Sequence, residues 1–321
     1  MRVALAAAAL LLFGAGCQTS RAFPTQPTGT LRGVSLSPKS FSPEDFETFF
    51  RDASDAGSAV TWAGDWIELA APTGAPVVVA ELAKPKKYTP VIIAQVFDQD
   101  TGNLRRPLTP HARKTHVAQA ESFAKKYHPP FFGLGIEVNM LAERSPDAFD
   151  QFVALFDEAA DAIKRASPET RIFPVLQLER LKGLRGGLFG GKNDETKNDW
   201  ALLEKFPKAD LIAFTSYPGI IYKDPDDIPD DYYQEIRKRT DRPIAFTELG
   251  WSAAASPAGW ESSEEEQTRF VSRFRKLTAG FDPQLEIWSF LYDQPLPEPF
   301  TNMGLRRADG SARPALEEWK K

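Results

Sequence analysis

Two glutamates stand out by position as much as by type. Glu137 follows the apolar run Phe131 to Ile136, and Glu248 follows Pro243 to Thr247. A carboxylate beside such a run escapes the desolvation cost of a core only where the run meets water. If the runs are the fourth and seventh strands of one barrel, the two carboxylates face a single gap at its carboxyl end. Such a pair suits cleavage of a glycosidic bond. One carboxylic acid with a raised pKa protonates the leaving oxygen, while the other, ionised, attacks or stabilises the sugar carbon. Tyr217 ends the sixth run, and a phenol donating to Glu248 would favour its charged form. Glu137 is flanked by Ile136 and Val138 and is expected to have the higher pKa of the two.

Aromatic residues gather at neighbouring strand ends. Trp62, Trp66, Trp251 and Trp288, with Tyr217, are expected to bind substrate through the apolar faces of sugar rings. Asn139 joins them as a candidate polar contact, and Gln177 and Glu179, which end the fifth run, are further candidate contacts to substrate. A single rim glutamate is commonly just solvated or ion-paired; two across one barrel mouth favour catalysis. The segment Gly186 to Lys192 nearly spells a phosphate-binding loop, but Asn193 stands where Ser or Thr would bind magnesium. It reads instead as a loop over the cleft. His111, His116 and His128 lack a second ligand at metal spacing, and the acidic stretch Asp224 to Asp231 lacks calcium-loop spacing. Neither a metal site nor a cofactor is expected.

The elements that must position these groups alternate along the chain. Apolar runs begin at Leu31, Ala59, Pro90, Phe131, Arg171, Leu211, Pro243 and Leu285. Amphipathic segments separate them. Ser42-Pro43 opens one, with Phe46, Phe49, Phe50 and Ala53 on one face. Others are expected around Val77 to Ala83, Ala112 to Tyr127, after Ser145-Pro146, near Trp200 to Phe206, near Asp231 to Lys238, and after Ser263. Continuous apolar strands belong to a parallel sheet buried on both faces. Eight such units predict an α/β fold, a (β/α)8 TIM barrel, as a single domain over residues 31–321. A doubly wound open sheet would want a Gly-rich first turn, and Leu36-Ser37-Pro38-Lys39 is not one.

Residues 1–16 read as a signal peptide: Arg2, an apolar run from Val3 to Phe13, then Gly14-Ala15-Gly16. The run is too short for a permanent membrane span. Small residues before Cys17 resemble the lipobox of bacterial lipoproteins, which implies lipidation of Cys17 and a membrane anchor. Gln18, where an inner-membrane lipoprotein would carry Asp, points to the outer membrane. Residues 17–30 are rich in Pro, Thr and Ser and read as a linker. Cys17 is the single cysteine, so the barrel has no disulfide and must rest on its core. A net charge of -5 without a basic stripe makes nucleic acid a poor partner. A monomer is expected.

With its strand-end residues in view, the chain resembles glycoside hydrolase clan A, the retaining TIM-barrel glycosidases. The resemblance implies Glu137 as acid/base, Glu248 as nucleophile, Tyr217 as the tyrosine that bonds the nucleophile, and Trp288 as the strand-eight tryptophan. Ser216-Tyr217-Pro218 and Thr247-Glu248-Leu249-Gly250-Trp251 are most similar to the arabinogalactan endo-β-1,4-galactanases of that clan. One position departs. The clan usually places Asn, which binds the sugar 2-hydroxyl, directly before the acid/base Glu; here it is Ile136, expected to face the helices. That departure keeps a second reading open, a non-catalytic barrel that binds carbohydrate or another envelope ligand.

Overall fold

The computed structural model describes residues 29–256 and 259–321. The segments read as signal peptide, Cys17 and most of the linker lie outside the described residues. The barrel strands are β1 (Leu31–Ser35), β2 (Ala59–Asp65), β3 (Thr89–Gln95), β4 (Phe131–Leu134), β5 in two pieces (Arg171–Phe173 and Val175–Gln177), β6 (Ile212–Ser216), β7 (Ile244–Leu249) and β8 (Leu285–Trp288). All pair in parallel, with β1 between β2 and β8, so the sheet curls round on itself. The break in β5 falls at Pro174, which has no N–H to donate. The TIM barrel expected from the alternating pattern is the fold observed.

The helical layer follows from capped, one-sided sequences. Ser42 accepts a hydrogen bond from Asp45 N at 3.2 Å, and Pro43 opens α1 (Pro43–Ala56). Four more long helices are α2 (Ala75–Lys86), α3 (Pro110–Tyr127), α5 (Pro146–Ala166) and α8 (Glu264–Thr278). Short α4 (Val138–Arg144), α6 (Leu178–Leu181), α7 (Gln234–Arg239) and α9 (Pro314–Lys320) complete the set. The helix expected near Trp200 is a 3-10 turn, Trp200–Lys205. α5 buries Phe149, Phe152, Leu155, Phe156 and Ile163, and three of those rings pack edge-on around Phe206. Each such side chain contributes about 1.5–3 kcal/mol by burial.

Two cores result. The larger lies between sheet and helices. The smaller fills the barrel and includes Ala59, Val91, Ile93, Phe131, Phe173, Ala213, Ala245 and Ile287. Gly133 shows how tightly the interior is filled: a Cβ there would meet the Phe173 and Ile93 side chains at 2.8 and 3.0 Å.

Candidate active site

Strict alternation would carry β4 straight on. Phe131 faces the interior, while Phe132 and Leu134 face the helices. Gly135 then takes φ +79°, a conformation open to glycine, and resets the phase. Ile136 therefore packs with the interior core and is 5% exposed. This corrects the expectation that it faces the helices. Next, Glu137 adopts φ 54°, ψ 45°, left-handed backbone that costs a non-glycine residue about 1–2 kcal/mol. The turn ends the strand, starts α4 and lifts the carboxylate to the mouth, half-buried.

β7 reaches the same mouth differently. Ala245 faces the interior and Phe246 the helices. Phe214 pairs with Phe246, but the next residue of β6, Thr215, pairs with Glu248. Thr247 is the extra residue of a bulge, and the β8 side shows the same slip, from Glu286–Phe246 to Trp288–Leu249. The bulge shifts the alternation, turning Glu248 to the mouth and Leu249 to the outer core.

Thr215 is bonded to one of the two carboxylates and is the register partner of the other. Thr215 Oγ1 donates to Glu137 Oε1 at 2.7 Å, and Gln99 Nε2 donates to Oε2 at 3.1 Å. Tyr217 donates its hydroxyl to Glu248 Oε2 at 2.6 Å. Burial pushes both carboxyl groups up. Glu248 rises to about 7, with the charge of Glu137 as the second cause after desolvation and Tyr217 opposing both. Glu137 is also raised by burial, against the bonds from Thr215 and Gln99. Two donors thus favour a charged Glu137 and one a charged Glu248. This corrects the expectation that Glu137 has no such partner. The charge of Glu137 couples to the titration of Glu248.

Tyr217 continues into a second hydroxyl. Its oxygen lies 2.7 Å from Ser289 Oγ, which is 3.0 Å from the Leu249 carbonyl. With Glu248 ionised, Ser289 donates to Tyr217 and Tyr217 to Glu248, while Ser289 N–H still serves Leu249 O at 2.9 Å.

The tryptophans do not line this gap. Trp62, Trp66, Trp251 and Trp288 are 4, 0, 1 and 0% exposed. Trp66 donates to His116 O, Trp251 stacks on Phe270, and Trp288 donates to Met303 O and packs against Trp319. Asn139 and Gln177 are also internal. Asn139 donates to Gln177 O at 3.0 Å and accepts from Gln177 N at 2.8 Å, replacing the ladder that β4 abandons. Gln177 spends its own amide on Glu179 and Arg180 N. Glu179 is fully buried and does not reach the mouth. Half-buried Leu188, Phe189, Phe290 and Phe300 instead pack on the small cluster of Tyr217, Ile220 and Met303, with Phe300 edge-on to the Tyr217 ring at 5.3 Å. Leu188 and Phe189 belong to the phosphate-loop-like segment, which Asn193 closes by accepting from Arg185 N and Gly186 N. Arg269 grips both oxygens of Asp224 at 2.7 Å, so the acidic stretch is anchored to α8.

Sequence reasoning missed Gln99, Thr215, Ser289 and the three phenylalanines. Thr215 was legible, two residues before Tyr217 at a strand end. Gln99 sits in the loop after β3, where no period marks it.

Fold and mouth together define a parallel (β/α)8 barrel with two opposed carboxylates at its carboxyl end. Solved structures share that fold. The catalytic domain of a family 53 glycoside hydrolase from Ignisphaera aggregans aligns with TM-score 0.63 at 16% identity, over 93% of this chain and 98% of that one. A family 39 glycoside hydrolase from Bacteroides cellulosilyticus WH2 aligns with TM-score 0.63 at 16% identity, over 90% of this chain and 62% of that one. The exo-β-1,4-mannosidase Op5Man5 from Opitutaceae bacterium strain TAV5 aligns with TM-score 0.64 at 16% identity, over 91% and 58%. The chain thus spans about three-fifths of the length of the last two. No protein-family model and no curated protein sequence matches it.

Proposed function

We propose that this protein is a glycoside hydrolase that cleaves an oligo- or polysaccharide by a retaining mechanism, with Glu137 as acid/base and Glu248 as nucleophile. The observation that carries the reading is the convergence on one barrel end of Glu137, bonded to Thr215, and Glu248, the register partner of Thr215. A binding barrel gains nothing from placing Glu137 where its charge raises the pKa of Glu248, whereas a proton donor and a nucleophile need such proximity. In this reading ionised Glu248 attacks the sugar carbon while Glu137, its pKa raised by burial, gives its proton to the leaving oxygen. Phe290, Phe300 and Phe189 supply the apolar contact for a sugar ring.

The test uses aryl glycosides with good and poor leaving groups beside polysaccharides, β-1,4-galactan first because of the strand-six and strand-seven motifs. Glu248→Gln should lose hydrolysis of every substrate by about 10⁴-fold or more. Glu137→Ala should lose about 10²–10⁴-fold on poor leaving groups. It should still form the covalent intermediate from activated ones, with azide restoring turnover. Equal losses on both substrate types without azide rescue would remove Glu137 from the acid/base role.

One observation favours the second reading, carbohydrate binding without turnover. Ile136 lies inside the barrel directly before Glu137 and offers no hydrogen bond where clan A places Asn. A wild-type protein that binds glycans but hydrolyses none of the panel would establish that reading.

The location proposed is the outer membrane, through lipid on Cys17. The lipobox-like sequence before Cys17 supports this. Cys17→Ser should move the folded protein to the soluble fraction; unchanged membrane association would place the anchor elsewhere.

A further inference from the structure

Glu179 lies just past β5, fully buried, and among the described residues no lysine, arginine or histidine forms an ion pair with it. A carboxylate left in such a place is costly unless donors surround it. Four do. Gln177 Nε2 donates to Oε2 at 2.7 Å. Oε1 lies 3.0 Å from Ser216 Oγ, 3.1 Å from Tyr217 N and 2.8 Å from the Tyr232 hydroxyl. Tyr233 lies behind, its hydroxyl 3.0 Å from Ser216 Oγ, and Tyr222 packs edge-on to Tyr232. Lys182 stands over the Tyr232 ring, with its ammonium on Tyr232 O and Glu235.

The Tyr217 N–H is the informative partner. β6 ends at Ser216, and Tyr217 turns to φ -129°, ψ 64°, out of the extended geometry of the ladder. Its N–H needs an acceptor, and Glu179 supplies one from the neighbouring strand end. Tyr217 is thus held at both ends, by Glu179 at its backbone and by Glu248 and Ser289 at its hydroxyl.

We propose that Glu179 is a positioning residue: by holding Ser216 and the Tyr217 N–H at the end of β6, it fixes the Tyr217 phenol against Glu248. It does not touch substrate. Its importance for turnover rests on the role proposed above for Glu248, but the contact itself does not.

A purely structural Glu179 would alter stability and leave Glu248 alone, so the readout is Glu248 itself. The experiment is a pH titration of the purified protein carrying ¹³C-labelled glutamate side chains, with the Glu248 signal assigned through Glu248→Gln. It needs no substrate, so its failure is separate from any failure of the glycosidase reading. Tyr217→Phe removes a donor to the charged form and should raise the Glu248 pKa by about one pH unit. Glu179→Gln should raise it in the same direction, by about half as much, because a loosened phenol still reaches Glu248 part of the time. In the Tyr217→Phe background, Glu179→Gln should add nothing. If Glu179→Gln does not fold, Glu179→Asp keeps the carboxyl group but shortens its reach, and should also raise the Glu248 pKa. An unchanged Glu248 pKa in folded Glu179→Gln or Glu179→Asp would overturn the proposal. So would an equal rise with and without the Tyr217 hydroxyl.

Discussion

The carboxyl ends of β4 and β7 bring the same chemical group to one mouth by different means. At β4 the strand stops. Gly135 resets the phase, Glu137 takes left-handed backbone, and a helix starts at once. The lost ladder is rebuilt by a side chain, Asn139 on both backbone groups of Gln177. At β7 the strand continues. A bulge at Thr247 turns Glu248 inward, and the ladder survives, with Ser289 N–H reaching Leu249 O at 2.9 Å. One end stores its strain in a single φ angle; the other places it in the register between strands. The proposed roles fit those two supports: an acid standing free of its strand and a nucleophile fixed in one.

The largest test of this contrast is the pH dependence of stability. Glu248 has a folded pKa of about 7, above the ordinary carboxyl value near 4.3–4.5 of the unfolded chain. The folded state therefore holds a proton that the unfolded chain has released across that window. Stability from this group is fully present below the ordinary value and falls as pH rises toward 7, by about 3 kcal/mol. Glu248→Gln should flatten most of that fall in urea melts at successive pH values. An equally steep fall in the variant would show that the proton lost across this window is not held by Glu248.

Removing the substitute ladder at β4 comes next. Asn139→Ala leaves the N–H and C=O of Gln177 without their partner in a buried place and should cost about 2 kcal/mol in chemical denaturation. A loss below about 0.5 kcal/mol would mean that water serves those groups equally well.

Thr215 touches both ends, bonded to Glu137 and paired in register with Glu248. Thr215→Val keeps its shape and removes the hydroxyl, and should lower kcat on poor leaving groups about tenfold. Thr215→Ser should restore it. Equal losses in Val and Ser would point to the methyl group instead.

The smallest effect is the sharpest, because the two ends should respond with opposite sign. Glu137→Gly should be more stable than Glu137→Gln by about 1 kcal/mol, since glycine relieves the left-handed strain. Glu248→Gly should be less stable than Glu248→Gln by about 0.5–1 kcal/mol, since glycine within a strand adds entropy cost without relieving any φ. Differential calorimetry of the four variants decides it, and equal signs would erase the distinction.

The sequence by itself determined the alternation of apolar runs and amphipathic segments, and with it a parallel barrel and the two strand ends that carry glutamate. Burial of a parallel sheet on both faces writes that pattern directly into residue types. It also marked Tyr217, the residue after β6, as the partner of Glu248. The direction of individual side chains was a tertiary matter. A regular count along β4 turns Ile136 outward, and one along β7 turns Glu248 outward. Only a positive φ at Gly135 and an extra residue at Thr247 reverse those counts. The tryptophans were misplaced for the same reason: their size and strand-end position suit a sugar equally well as a helix layer, and phase alone separates the two. The donors on Glu137 come from Gln99 and Thr215, which are 38 and 78 positions away in the chain. Such contacts exist only once the barrel closes, so the donors that oppose the burial of Glu137, and the buried hold of Glu179 on Tyr217, were decided by the tertiary structure.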